Sequence, residues 1–155
     1  MDAAIRYANK NGLMAPNALS NNFALAEMVN PVWDGCVAAS DDDWKAWLKR
    51  RKIPDFSWSS QARGFFTDAA GRDKFDNPEI VNSWYSPKNF KRRDRAVKLA
   101  AELGKSPIQV ALAYVLCQPL EVVPLIGPRS IAELENSIEA TAIKLSQDQV
   151  KWLEG

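Results

Sequence analysis

The chain has 155 residues, of which 46% are hydrophobic and 25% are charged, and its formal net charge is +1. This composition is typical of one globular domain and excludes a disordered chain. Apart from "KRRK" at the end of a predicted helix (49–52), the only basic run is "KRR" at 91–93, and the longest apolar run, at 110–116, is too short to cross a bilayer. We therefore expect no nucleic acid or membrane partner. Without a signal-peptide pattern or a disulfide framework, we expect a cytoplasmic protein.

The sequence contains no histidine. This absence removes the usual general base, the commonest metal ligand and the serine–histidine nucleophile pair. The two cysteines, Cys36 and Cys117, do not have a metal-binding spacing. The sequence therefore indicates no metal site, and we identify no catalytic residue in it.

The first half of the chain predicts two helices and two strands. A first helix ends near Asn9, and the apolar segment 14–26 predicts a strand followed by a loop. Ser40 is the predicted N-cap of a second helix, because three aspartates follow it in the first turn. "IPDFSW" (53–58) predicts the second strand.

The second half predicts a polar loop, four helices and one strand. The loop covers 67–89 and contains a short helix over 79–84. Three longer helices are predicted over 89–104, 106–118 and 130–140, and a last short helix follows Ser146. The helix over 106–118 starts with a capping box between Ser106 and Gln109. The helix over 130–140 has an apolar face of Ile131, Leu134 and Ile138. The β-branched run "EVVPLIG" (121–127) predicts a buried strand. Strands that alternate with helices indicate parallel β–α units.

Three segments carry a family resemblance. "WSSQARGFF" follows the second strand, "PLIGPRSIAELENSIEA" contains the third, and "ELGKSPIQVALAYVLCQP" lies between them. Their order and spacing resemble the C-terminal part of the aldo-keto reductases, NADP(H)-dependent enzymes built on a TIM (β/α)8 barrel. The resemblance implies one α/β domain over 1–155, a partial TIM barrel whose strands six, seven and eight are 14–25, 53–58 and 122–126.

The resemblance also implies what this part of the barrel does. A complete barrel typically needs about 250 residues, and the family's catalytic aspartate, tyrosine, lysine and histidine lie on its early strands. We therefore expect the cofactor-binding part of a carbonyl reductase, inactive alone, with the missing barrel half or a second copy as its partner. A non-catalytic dinucleotide-binding or interaction module is the alternative.

The resemblance places the nicotinamide and pyrophosphate of the cofactor near the second strand. Trp58 would stack on the nicotinamide ring, and Ser20 would contact its carboxamide. Pyrophosphate contacts would come from Ser59, Gln61 and Arg63. The alternatives are a core tryptophan, a strand-end serine bonded to backbone, and a solvated loop.

The adenosine end would lie at the last strand and the helix that follows it. The implied residues are Gly127, Arg129 at the 2′-phosphate of NADP(H), Asn136 at the adenine, and the adjacent Ser137. Glu133 departs from the family pattern, since a carboxylate repels phosphate. It also fits an S-x-x-E capping box with Ser130, and it leaves NADP versus NAD open.

Overall fold

The computed structural model describes all residues, 1–155. It contains seven α-helices, one short 3₁₀ turn and a two-stranded parallel sheet. In chain order the elements are α1 (Asp2–Lys10), α2 (Asp42–Arg51), β1 (Asp55–Ser57), the 3₁₀ turn (Ala62–Gly64), α3 (Pro78–Trp84), α4 (Pro87–Leu103), α5 (Pro107–Leu116), β2 (Val122–Pro124), α6 (Ile131–Ala140) and α7 (Gln147–Glu154). None of the helices is both long and apolar enough to cross a membrane.

The strand predicted over 14–25 is present only as isolated bridges. Leu19 bridges to Asp55 and Asn22 bridges to Trp58, both in parallel, so the segment runs beside β1. On its other side it makes one bridge, from Asn22 to Ala38. A continuous ladder with β1 does not form because the N–H of Asn21 donates to the Asp55 carboxylate, while the carbonyl of Phe56 accepts from the Ser20 hydroxyl instead. Three parallel strand segments with the order 19–22, β1, β2 result.

Helices cover one face of this small sheet and leave the other face open. Successive residues of a strand point to opposite faces, and along β1 Asp55 and Ser57 are fully buried whereas Phe56 is 40% exposed. Val123 of β2 is 43% exposed, and Leu125 beyond it is similarly open. The expectation of a buried strand over 121–127 is therefore wrong, because nothing in this chain covers the second face.

The core lies between the covered face of the sheet and the helices. α5 contributes more buried residues to it than any other helix, as its apolar sequence predicts, and it packs against both α4 and α6. The largest buried side chains of the molecule are Trp84, Tyr114, Phe23, Phe65 and Phe66. The apolar face predicted on the helix over 130–140 is not buried, since Ile131 is 75% exposed and α6 packs instead through Ser137 and Ala140.

The helix boundaries follow their capping residues. The N-cap of α2 is Asp41, not Ser40, because the Asp41 carboxylate accepts a hydrogen bond of 2.8 Å from the N–H of Trp44. α4 starts two residues earlier than predicted, with Ser86 as its N-cap and Pro87 at its first position. The capping box between Ser106 and Gln109 and the short helix over 79–84 are confirmed.

Candidate functional site

A cleft of about 1200 Å³ lies at the carboxyl ends of β1 and β2. The loop after β1, the segment between β2 and α6, and the first residues of α5 line it. Among its residues are Ser59, Gln61, Arg63, Gly127, Arg129, Glu133, Asn136 and Ser137. The two segments that carry these predicted residues lie far apart in the sequence, and the parallel pairing of β1 with β2 brings them together.

The loop after β1 has an unusual backbone. Ser59, Ala62 and Arg63 have φ angles of 48°, 50° and 52°, and Gly64 follows at 92°. Such angles are uncommon for residues other than glycine, and they cluster at functional sites. The backbone N–H groups of residues 59, 60 and 61 donate to no backbone carbonyl, which leaves three successive donors free at the cleft.

Side chains hold this loop in place. Arg63 donates from Nε to the Ser59 hydroxyl at 3.0 Å and pairs with Glu79 of α3. The Ser60 hydroxyl donates to the carbonyl of Leu125 at 2.9 Å, which ties the loop to the end of β2. Arg93 of α4 donates to two carbonyls further along the same loop, at Phe65 and Thr67. Nothing in the sequence distinguishes Arg93 from the other charged residues of α4.

At the start of α6, Glu133 does more than cap the helix. The Ser130 hydroxyl accepts from the N–H of Glu133 at 3.2 Å, as a capping box predicts. The Glu133 carboxylate, however, accepts from the N–H of Arg129 at 2.7 Å rather than from that of Ser130. The carboxylate also lies 3.5 Å from the Arg129 guanidinium. Attraction between these two charges favours the bond to the N–H of Arg129 over the bond to the N–H of Ser130. The predicted box is thus half formed.

Asn136 and Ser137 lie at the inner end of the cleft, against α5. Asn136 donates from Nδ2 to the hydroxyl of Ser106 at 3.3 Å. The Ser137 side chain is buried and its hydroxyl donates to the carbonyl of Glu133 at 2.9 Å, one turn earlier in the helix. Ser106 is a cleft residue that sequence reasoning assigned only to helix capping.

Ser20 and Trp58 lie together but outside this cleft. The indole N–H of Trp58 donates to the carbonyl of Ser20 at 3.2 Å, and the Ser20 hydroxyl donates to the carbonyl of Phe56 at 3.1 Å. This geometry is the one expected for a strand-end serine bonded to backbone. A neighbour that the sequence did not indicate, Trp33, packs its ring on that of Trp58 with the centroids 4.3 Å apart.

The charges of the cleft are balanced. Three arginines line it, Arg63, Arg93 and Arg129, together with the carboxylates of Asp68, Glu79 and Glu133. Behind the cleft, burial raises the pKa of the Asp55 carboxyl, although hydrogen bonds from the Asn21 N–H and the Ser57 hydroxyl partly oppose the rise. No cluster of histidine, cysteine, aspartate and glutamate side chains could hold a metal ion.

Parallel strand segments, helices on one face and a cleft at the carboxyl ends of the strands define an α/β fold consistent with part of a β/α barrel. The sequence profile of the Aldo/keto reductase family matches residues 42–155. The chain therefore belongs to the aldo-keto reductase family.

Known proteins are similar to this chain in sequence and in fold. An uncharacterized oxidoreductase of Bacillus subtilis, YrpG, is 29% identical over 97 residues, which are 63% of this chain and 30% of that protein. The thermostable aldo-keto reductase Tm1743, solved with the inhibitor epalrestat, superposes with a TM-score of 0.61 at 17% identity, over 93% of this chain and 41% of its own. An aldo/keto reductase from Klebsiella pneumoniae, solved with NADP and acetate, gives a TM-score of 0.56 at 16% identity, over 87% of this chain and 37% of its own.

These likenesses show that the chain has the fold of one part of an aldo-keto reductase. It spans less than half the length of each of these three proteins.

Proposed function

We propose that this chain is the dinucleotide-binding part of an NADP(H)-dependent aldo-keto reductase, which as a complete enzyme reduces aldehydes and ketones to alcohols. The observation that carries the proposal is the cleft, in which the loop after β1 and the start of α6 face each other. Family membership supplies the class of reaction. By itself the chain binds the cofactor without reducing a carbonyl compound, because the family's catalytic aspartate, tyrosine, lysine and histidine belong to early strands.

The size and the donors of the cleft fit a large anionic ligand. Small-molecule sites typically enclose about 300–1,000 Å³, so a cleft of about 1200 Å³ has room for a dinucleotide. The free N–H groups of residues 59–61 suit a pyrophosphate, as does the guanidinium of Arg63. A Cβ added at Gly127 would meet no atom within 4 Å, and its φ is ordinary, so the chain itself does not require glycine there. Close approach of a ligand gives a reason for it.

The start of α6 suits the adenosine end. A helix N-terminus favours phosphate, since its first N–H groups are free and its dipole is positive there. Arg129 is almost fully exposed and can turn its guanidinium from Glu133 to the 2′-phosphate. Asn136 and Ser137 lie deeper in the cleft, where the adenine would lie.

In this proposal Ser20 and Trp58 contact the nicotinamide end of the cofactor. When bound, the cofactor supplies the hydride that reduces the carbonyl carbon. Trp58 holds the plane of the nicotinamide ring by stacking, and its own indole is fixed by the hydrogen bond to Ser20. Orientation of the ring is thus the contribution of this chain to the reaction.

The test compares the affinities for NADPH and NADH in two variants of the Arg129–Glu133 ion pair. Arg129→Ala should weaken NADPH binding about ten- to a hundredfold, since a hydrogen bond to a charged group is worth about 1.5–3 kcal/mol. NADH binding should change far less, because NADH lacks the 2′-phosphate. Glu133→Gln should favour NADPH, because it removes the carboxylate that competes for Arg129. Calorimetric titration of both nucleotides measures each effect.

Arg50→Ala is the matched control, since Arg50 is an exposed arginine on α2, away from the cleft. It should leave both affinities unchanged. Equal losses of NADH and NADPH in Arg129→Ala would contradict the placement of the phosphate. If Glu133 acts only as a helix cap, Glu133→Gln will not change the preference between the two nucleotides. Turnover of simple aldehydes that copurifies with this chain would contradict the proposed inactivity.

A further inference from the structure

Trp33 and Trp58 are in direct ring contact on the open side of the sheet. Their centroids are 4.3 Å apart and their planes are inclined by 37°. Trp33 lies in the turn that follows the 14–26 segment and is 49% exposed, an unusual degree for a tryptophan. Trp58 is only half-buried, so Trp33 covers part of its solvent side.

The contact leaves no space for a third ring. A ring sandwiched between two others needs two carbon contacts of about 3.5–4.0 Å each, or roughly 7–8 Å between the outer rings. Trp58 cannot readily turn to offer its other face, because its indole N–H is bonded to the carbonyl of Ser20. Trp33 is the freer partner. Its turn is held to α3 by two bonds that precede Trp33 in the chain, from the N–H of Val29 to the carbonyl of Ser83 and from the Asn30 amide to the carbonyl of Asn82. After Trp33, Gly35 has a φ of 77° with open space around its Cβ position.

We propose that Trp33 occupies the face of Trp58 on which the nicotinamide ring stacks, and so closes the nicotinamide end of the site until it moves away. This inference rests on the proposed function, which places the nicotinamide at Trp58. It predicts an order of binding. The adenosine end lies in an open cleft and binds first, and the nicotinamide then displaces Trp33 from its aromatic partner.

The test uses two halves of the cofactor as separate probes on the full chain. Nicotinamide mononucleotide reports the nicotinamide end and 2′,5′-ADP reports the adenosine end, both by calorimetry. Because an aromatic pair is worth about 0.5–1.5 kcal/mol, Trp33→Ala should bind nicotinamide mononucleotide about two- to tenfold more tightly than the wild type. Its affinity for 2′,5′-ADP should equal that of the wild type, which also shows that the variant is folded.

Trp152→Ala is the matched control, because Trp152 is a similarly exposed tryptophan on α7 outside the cleft. It should bind both probes as the wild type does. In the wild type, nicotinamide mononucleotide should also abolish the circular-dichroism couplet of the two paired indoles, a readout that needs no variant.

Equal or weaker binding of nicotinamide mononucleotide by Trp33→Ala would overturn the inference. Failure of every variant to bind that probe would do the same, because removal of Trp33 would then have exposed no site. A couplet that persists with the probe bound would also overturn it. Failure of the wild type to bind 2′,5′-ADP is a different result, which contradicts the proposed function at its adenosine end.

Discussion

Asp55 is a fully buried carboxylate on β1, directly behind the loop that lines the cleft. It accepts a hydrogen bond of 3.0 Å from the N–H of Asn21 and one of 2.8 Å from the Ser57 hydroxyl. These bonds fasten the 19–22 segment to β1. Burial nevertheless raises the pKa of Asp55, so the folded state favours the protonated carboxyl more than the unfolded state does.

Asp55→Asn should therefore stabilise the protein at neutral pH. In the wild type the folded state holds the proton to a higher pH, so the free energy of unfolding decreases as pH rises from the ordinary aspartate pKa, about 3.9, through the raised value. Asparagine carries no charge and keeps both contacts, because its oxygen accepts from Asn21 and its amide donates to the Ser57 oxygen. Urea unfolding between pH 3 and 8 measures the difference, which should vanish at the acidic end. Asp34→Asn, at an exposed aspartate, is the control, and a variant less stable than the wild type at pH 7 would contradict the expectation.

At the scale of the elements, the last helix is fixed by a polar cluster that joins distant parts of the chain. Glu154 of α7 accepts from Lys45 of α2 and from the buried Tyr114 hydroxyl of α5, each at 2.5 Å. The guanidinium of Arg92 on α4 donates to the backbone carbonyls of Glu154 and Leu25. Burial acts to raise the pKa of Glu154, but the hydrogen bonds from Lys45 and Tyr114 outweigh it and lower the pKa.

Glu154→Gln should loosen α7. A lowered folded-state pKa contributes stability that is present above the unfolded pKa of glutamate, about 4.3, and is lost as pH falls through the folded value. We expect the variant to lose about 1–2 kcal/mol of unfolding free energy at pH 7, since Lys45 keeps its charge without its partner. The loss should shrink toward zero at low pH. Glu135→Gln, at an exposed and unpaired glutamate of α6, should change little, and an equal loss in both variants would show that the cluster is not responsible.

The helices were predictable because each carries its own local signals. Ser106 followed by Pro107, with Gln109 three residues after the cap, defines the start of α5 without reference to the rest of the molecule. The polar cluster was not predictable, because Lys45 and Glu154 are far apart in the sequence and only packing brings them together. The predicted cofactor residues of the cleft, in contrast, follow from the family resemblance. Trp33 has no signal in the pattern of the sequence.

The predicted burial of the strand over 121–127 is wrong for a physical reason. A β-branched run such as Val122 and Val123 is typical of a strand that is covered on both faces. In this chain the helices cover one face only, and Val123 remains exposed. The pattern therefore describes the environment of the strand in a complete barrel, where the inner face packs against other strands.

At the scale of the whole molecule, the open face and the unpaired edges of the sheet both favour association with another chain. Phe56, Val123 and Leu125 form an apolar patch on the uncovered side of the sheet, and β2 has no neighbour on one edge. An unpaired strand edge is a template for another strand. In a complete β/α barrel, further strands would cover both features.

The purified chain should therefore self-associate at micromolar concentration. Light scattering coupled to size-exclusion chromatography should give a mass well above the 17.3 kDa of one chain. Val123→Lys should reduce the association, because it places a charge in the apolar patch, whereas Tyr7→Lys, at an exposed site on α1, should not. A stable monomer of the wild type would contradict the expectation.

Coexpression with the N-terminal part of a relative such as YrpG then distinguishes the two hypotheses, part of a reductase or a non-catalytic binding module. If this chain is part of a reductase, the added strands should cover the Val123 patch, abolish self-association and supply the missing catalytic residues. NADPH-dependent reduction of an aldehyde should appear in the assembled pair and disappear in Trp58→Ala, because the nicotinamide ring loses its stacking partner. If the chain is a non-catalytic binding module, the pair will not assemble and only binding of 2′,5′-ADP will remain. An assembled pair that binds NADPH without any turnover would contradict the hypothesis that this chain is part of a reductase.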